Sequence, residues 1–138
     1  MTTANITWVE DMQFMAQGGS GHAIVVDSAE ESGGHDTGSR PMEVLLMGLL
    51  GCTAMDVISI LKKKRQPVTG LKISANGDRA PEHPKYYTKI HLEYVAYGDV
   101  DPAALERSVE LSETKYCSAI ATVRGKAEVT HSCRVEKA

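Results

Sequence analysis

The sequence predicts an α+β fold in which helices pack on antiparallel sheet, and three observations carry that expectation. One is a long apolar segment with helix-type ends, "RPMEVLLMGLLGCTAMDVISILKKKR" at 40–65. Another is a set of short alternating segments before and after it, joined by turn residues at hairpin spacing. The last is their order: three strands, a long helix, a hairpin, two helices and a closing strand. That order carries no strand–helix–strand repeat, so no doubly wound parallel sheet is implied.

Taken in chain order, Ile6 and Trp8 alternate with polar neighbours, 13–16 can pair with them, and "HAIVVD" at 22–27 reads as a third strand, giving an antiparallel meander. The polar, Gly-rich stretch "AEESGGHDTGS" at 29–39 reads as a connecting loop. A helix is expected from about Pro41 to Lys64: proline suits a first helical position, Glu43 complements the positive end of the dipole, and Lys62 to Arg65 complement the negative end. Val44 to Leu61 approaches bilayer length, yet Thr53, Asp56, Ser59 and two glycines within it favour a buried helix over a membrane span. Being apolar round most of its circumference, the helix needs cover on more than one side, and a second subunit is the economical source.

Beyond the helix, Leu71, Ile73 and Ala75 alternate in a strand, "NGDRAPEHP" turns, and Thr88 to Ala96 alternate in a longer one. Asp101 followed by Pro102 starts a helix expected to reach about Thr114. "KYCSAIATVRG" predicts a short helix stopping near Gly125, and Ala127, Val129, His131, Cys133 and Val135 form the inward face of a last strand. With no repeat, low-complexity tract or linker, residues 1–138 are expected to form one domain.

Composition excludes several function classes. Fifteen Lys and Arg against eighteen Asp and Glu, with no basic cluster beyond Lys62 to Arg65, offer no surface for nucleic acid or an anionic membrane. The opening "MTTANITWVEDMQF" lacks the features of a secretory signal, which points to the cytoplasm. Three dispersed cysteines, Cys52, Cys117 and Cys133, form no disulfide framework. With no CxxC or HxxxH spacing, neither a metal nor any other cofactor is expected, and His131 with Cys133 reads as a core pair before it reads as ligands. Met42, Met47 and Met55 read as core filler.

Two cysteine segments carry a family resemblance. "RPMEVLLMGLLGC", and 65 residues beyond its cysteine "ETKYCSAIATVRGKAEVTH", resemble the OsmC/Ohr family of thiol peroxidases, close to its YhfA-like branch. The resemblance implies an OsmC-like fold, antiparallel sheets wrapped around a long buried central helix, in an intertwined homodimer. It also implies Cys52 as peroxidatic thiol and Cys117 as resolving thiol, reducing organic hydroperoxides in oxidative stress defence, with an external dithiol restoring the enzyme. Cys117, at a helix start beside Lys115, is expected in an electropositive setting that lowers a thiol pKa. Cys52, mid-helix among Leu49, Leu50 and Met55 and one turn from Asp56, needs a helper cation to form thiolate. The chain departs from the Ohr pattern here: "EDMQFMAQGGSG" holds no arginine, and Met42 rather than a glutamate follows Pro41. Arg40 and Arg124 are therefore the candidate cations, with Glu43 and Asp56 as candidate supporting carboxylates. Cys52 can also be an inert core residue, leaving a non-catalytic dimer that binds a small hydrophobic or thiol-reactive ligand; a metal held by Cys52, Cys117 and a histidine is a further alternative.

Overall fold

The computed structural model describes residues 1–137. The fold is α+β, with two three-stranded sheets and three α-helices among the described residues. Residue contacts gather into two compact units, Met1–Met47 and the chain from Gly48 onward, the division falling inside the long helix.

The first unit is the expected meander: β1 (Ala4–Glu10), β2 (Gln13–Gly18) and β3 (Ala23–Val26), in that order and antiparallel. Every residue of β1 is exposed, including Ile6 and Trp8. The Gly-rich loop that follows is fixed by one carboxylate. Asp27, 1% exposed, accepts the Thr37 hydroxyl at 2.6 Å and the backbone N–H groups of Ser28 at 2.8 Å, His35 at 3.1 Å and Thr37 at 3.2 Å. These bonds, the Thr37 hydroxyl foremost, hold Asp27 down at about 2 against burial. Gly34 is needed beside it, since a Cβ there would stand 2.2 Å from the Ser28 carbonyl oxygen.

Helix α1 (Pro41–Lys63) begins and ends much as its sequence requires. Glu43 reaches back to accept the Arg40 N–H at 2.8 Å, closing the N-terminal half of a capping box. At the other end Arg65 turns left-handed at φ 57°, its N–H meeting the Lys62 carbonyl and that of Gln66 meeting Leu61, a Schellman closure with arginine where glycine is usual. Burial of α1 within its own chain is one-sided. Only Leu49, Thr53, Val57 and Leu61, spaced by four, are buried, while Leu45, Met47 and Met55 are exposed, Met55 at 76%. Met47 and Met55 are thus not core filler within the chain, and Leu49 belongs to the chain's own core.

The second unit is built on a long hairpin, β4 (Val68–Arg79) and β5 (Tyr87–Gly98), with β6 (Glu128–Glu136) on the other side of β5. Here the antiparallel expectation needs correction: β6 runs parallel to β5, from Lys89 opposite Glu128 to Tyr97 opposite Glu136. The helical segment between them makes a crossover connection, which returns the chain in the same direction as a hairpin cannot. Central β5 supplies Ile90, Leu92, Tyr94 and Ala96 to the core, which Leu49, Val57 and Leu61 of α1, Leu105 and Val109 of α2 (Pro102–Leu111) and Ile120 of α3 (Ser118–Val123) complete.

Asp101 caps α2 as expected, accepting the Ala103 N–H at 3.0 Å. The helix does not continue to Thr114 in α geometry. From Ser112 to Tyr116 the chain widens into a π-helical turn, closed by the Cys117 N–H on the Ser112 carbonyl at 2.7 Å. Gly125 takes the expected left-handed conformation, φ 96°, beyond α3.

Candidate functional site

The structure brings together the two cysteines that stand 65 residues apart in the sequence. Cys52, half-buried on α1, is a near enough neighbour of Cys117 to act on its thiol; Cys117 is buried at 3% exposure where the π turn hands over to α3. Cys117 caps α3, its sulfur accepting the Ile120 N–H at 3.4 Å.

The expectation that Cys117 is acidified is overturned. Burial pushes its thiol up to about 11, and the Cys52 thiol beside it adds to the rise; the Ile120 and Ala119 N–H groups oppose this only in part. Lys115 is exposed and sits over the Tyr116 ring at 5.2 Å from its centre. A short helix start is outweighed here by removal from water.

A chain of hydroxyls fixes α1 against the π turn beside the thiols. Ser112 Oγ donates to Asp56 Oδ2 at 2.9 Å, which uses its single proton. Thr53 Oγ1, 2.7 Å from Ser112 Oγ, must therefore donate to it, and Tyr94 OH, 2.8 Å from Thr53, must donate to Thr53. The order Tyr94, Thr53, Ser112, Asp56 is thus directional. Burial holds the Tyr94 phenol well above its ordinary range despite the bond to Thr53, so it remains a donor. Asp56 has the structural task of ending this chain. An open cleft of about 370 Å³ begins at Asp56 and is lined by Ile60, Lys63, Lys64, Leu111 and Tyr116.

The two candidate cations are engaged with other partners. Arg40, in the first unit, pairs with Asp36 at 2.8 Å and donates to the Gly38 carbonyl at 3.0 Å. Arg124 is exposed and donates to the Glu113 carbonyl at 2.6 Å. Glu43 is exposed and serves as the helix cap described above. Thr53 and Ser112 were not among the sequence candidates, because a threonine inside an apolar helix and a serine at a helix end carry no motif.

Fold and site together define an α+β protein with a paired-thiol centre between its long helix and a helix start. A family profile described as OsmC-like protein matches residues 34–132, and the chain belongs to the OsmC-like family. Protein YhfA of Escherichia coli strain K12 is 39% identical over 133 residues, 96% of each chain. A crystal structure of a hypothetical protein from Aquifex aeolicus VF5 is similar with a TM-score of 0.88 and 36% identity, covering 100% of this chain and 98% of that one. A crystal structure of an organic hydroperoxide resistance protein OsmC from Legionella pneumophila shares the fold with a TM-score of 0.74 at 14% identity, covering 98% of this chain and 97% of that one.

Proposed function

We propose that this chain is a thiol-dependent peroxidase that reduces organic hydroperoxides through Cys52 and Cys117, acting in oxidative stress defence as a cytoplasmic homodimer. The observation that carries this function is the neighbouring placement of the two thiols, one on α1 and the other at the start of α3. The Legionella protein that shares this fold is an organic hydroperoxide resistance protein, which points the same way.

In the cycle the Cys52 thiolate attacks the terminal oxygen of the hydroperoxide. An S–O bond forms as the O–O bond breaks, and the alkoxide takes a proton and leaves as alcohol. Cys117 then attacks the sulfenic sulfur, its proton leaving with the displaced hydroxide as water, and a Cys52–Cys117 disulfide results. Because burial keeps Cys117 protonated at neutral pH, it suits the second step, in which the departing hydroxide can accept that proton, better than the first. An external dithiol restores both thiols by exchange. No cofactor, nucleic acid or membrane enters the cycle. The exposed apolar side chains of α1, Leu45, Met47 and Met55, and the apolar residues of β1 support an intertwined second copy as their cover.

A second function is favoured by one observation: the bonds that Arg40 and Arg124 make are to Asp36, Gly38 and Glu113 and not to Cys52. The same dimer would then hold a small hydrophobic or thiol-reactive ligand without turnover. Peptide mapping after one equivalent of cumene hydroperoxide separates the two. A Cys52–Cys117 disulfide with Cys133 free is expected; both thiols persisting under excess peroxide would leave the binding protein. Cys52→Ser should abolish peroxide consumption, and Cys117→Ser should allow one turnover that strands Cys52 as sulfenic acid.

A further inference from the structure

Away from the thiol pair, the second unit gathers four side chains that the peroxide cycle does not use. His131 and Cys133 project from one face of β6, Glu106 comes from α2, and Glu113 from the π turn. Glu106 reaches both β6 residues, with Oε1 2.9 Å from His131 Nε2 and Oε2 accepting from Cys133 Sγ at 2.6 Å. Glu113 Oε2 lies 2.9 Å from His131 Nδ1. The imidazole, one-fifth exposed, therefore stands between two carboxylates, while Glu106 is nearly half exposed and opens the cluster to solvent. The ligand-type atoms of Glu106, His131 and Cys133 all lie within 4.8 Å of one another.

We propose that Glu106, His131 and Cys133 form a binding site for a divalent transition-metal ion of the zinc type, with Glu113 as the residue that orients His131. The donor set is the argument for this class of ion: one thiolate sulfur, one imidazole nitrogen and one carboxylate oxygen are the three ligand types of protein-bound zinc, and a hard ion such as magnesium would not choose sulfur or nitrogen. The placement of Glu113 is independent support. A metal-bound histidine donates its other ring N–H to a carboxylate, and Glu113 stands at Nδ1 while Nε2 meets Glu106.

Glu113 Oε1 is buried with no hydrogen-bond partner among the described residues, so the carboxylate is held at His131 by its other oxygen. Metal binding leaves the net charge of the cluster unchanged, the two charges of the ion replacing those of two released protons. On binding, coordination bonds form to Sγ, Nε2 and one Glu106 oxygen, and the thiol and Nε2 protons leave to the buffer. Donors around tetrahedral zinc stand about 3.4–3.6 Å apart, from bond lengths of about 2.0–2.3 Å. The present contacts must open by less than about 1 Å, which the half-exposed Glu106 side chain can supply by rotation. Three protein ligands leave a fourth position for water.

The test is cobalt(II) titration of the chelator-treated, reduced protein, followed in the near-ultraviolet and visible, in the wild type and in a Cys52→Ser/Cys117→Ser variant that removes the other thiols. One cobalt per subunit is expected in both, with a sulfur-to-cobalt charge-transfer band and tetrahedral d–d bands that zinc abolishes. Cys133→Ser should lose the charge-transfer band. Glu106→Gln, a change on a partly exposed helix face, should weaken binding at least tenfold, and Glu113→Gln should weaken it about 10- to 100-fold as outer-shell partners do. A wild-type protein without the band, or a band that survives Cys133→Ser while Glu106→Gln leaves affinity unchanged, overturns the site and leaves the cluster as a hydrogen-bonded network only.

Discussion

Replacing Thr53 by valine tests whether the hydroxyl chain holds α1 to the π turn. The substitution keeps the shape of a fully buried side chain and removes an oxygen that takes part in two hydrogen bonds, from Tyr94 and to Ser112. The Tyr94 hydroxyl would be left buried without its acceptor, at about 1–3 kcal/mol, and the lost Thr53–Ser112 bond adds about 1 kcal/mol. A methyl in place of the hydroxyl returns part of this, so a net destabilisation of about 2–3 kcal/mol is expected. Tyr94→Phe removes the stranded donor itself and should cost about 1 kcal/mol, so the double variant should be less destabilised than the sum of the singles by about 1–2 kcal/mol. Urea unfolding of all four proteins at one fixed concentration measures the cycle, since stability of the proposed dimer would depend on concentration. The rate of Cys52–Cys117 disulfide formation should fall in Thr53→Val, because the bond that keeps the two cysteine-bearing segments in register is gone. Additive single effects, or a loss below about 0.5 kcal/mol for Thr53→Val, would refute the cooperative chain.

Three further outcomes are expected. With its folded-state pKa depressed to about 2 from 3.8, Asp27 lends stability that is full above its unfolded pKa and lost as pH falls from about 4 towards 2. The single tryptophan, Trp8, whose Nε1 donates to the Asp11 carbonyl in the same unit, should report an acid transition in fluorescence that Asp27→Asn flattens. Arg65→Gly relieves a left-handed arginine and should raise stability by about 0.5–1 kcal/mol, read as a shifted urea midpoint with unchanged slope. Iodoacetamide labelling of Cys117, followed by peptide mapping in Cys52→Ser, should be very slow at pH 8 and rise about tenfold per pH unit towards pH 11; fast labelling at pH 8 would contradict its burial.

The elements legible in the sequence are those written in local chemistry. Pro41, Glu43 and the terminal lysines delimit α1, Asp101 and Pro102 open α2, and alternation places the inward face of β6 at His131, Cys133 and their neighbours. Both cysteines of the candidate centre were found through the resemblance of their segments, and their neighbouring placement is consistent with the paired role it implied. What escaped depends on groups distant in sequence. The direction of β6 follows from a crossover that no single segment encodes. The setting of Cys117 follows from how deeply its neighbours bury it, which overrode the helix start and the adjacent lysine. Asp27 and Thr53 look like ordinary polar residues until the partners converging on them are known, and Glu106 joins His131 and Cys133 only because α2 packs on β6.

The π-helical turn at Ser112–Tyr116 makes one stretch of this chain intolerant of changes in length. Ser112 uses its carbonyl to close the turn on Cys117 and its hydroxyl to meet Thr53 and Asp56, so the count of residues from Ser112 to Cys117 acts as a ruler. Inserting one residue between Ser112 and Cys117 would leave six residues to close a turn that now spans five, breaking the bond from the Cys117 N–H to the Ser112 carbonyl and carrying the cysteine away from its place beside α1. The exposed turn between β4 and β5 has no such double constraint and can gain or lose residues at little cost. Among sequences of this fold, insertions and deletions are therefore expected to collect at the hairpin turn and to avoid the five residues before the second cysteine.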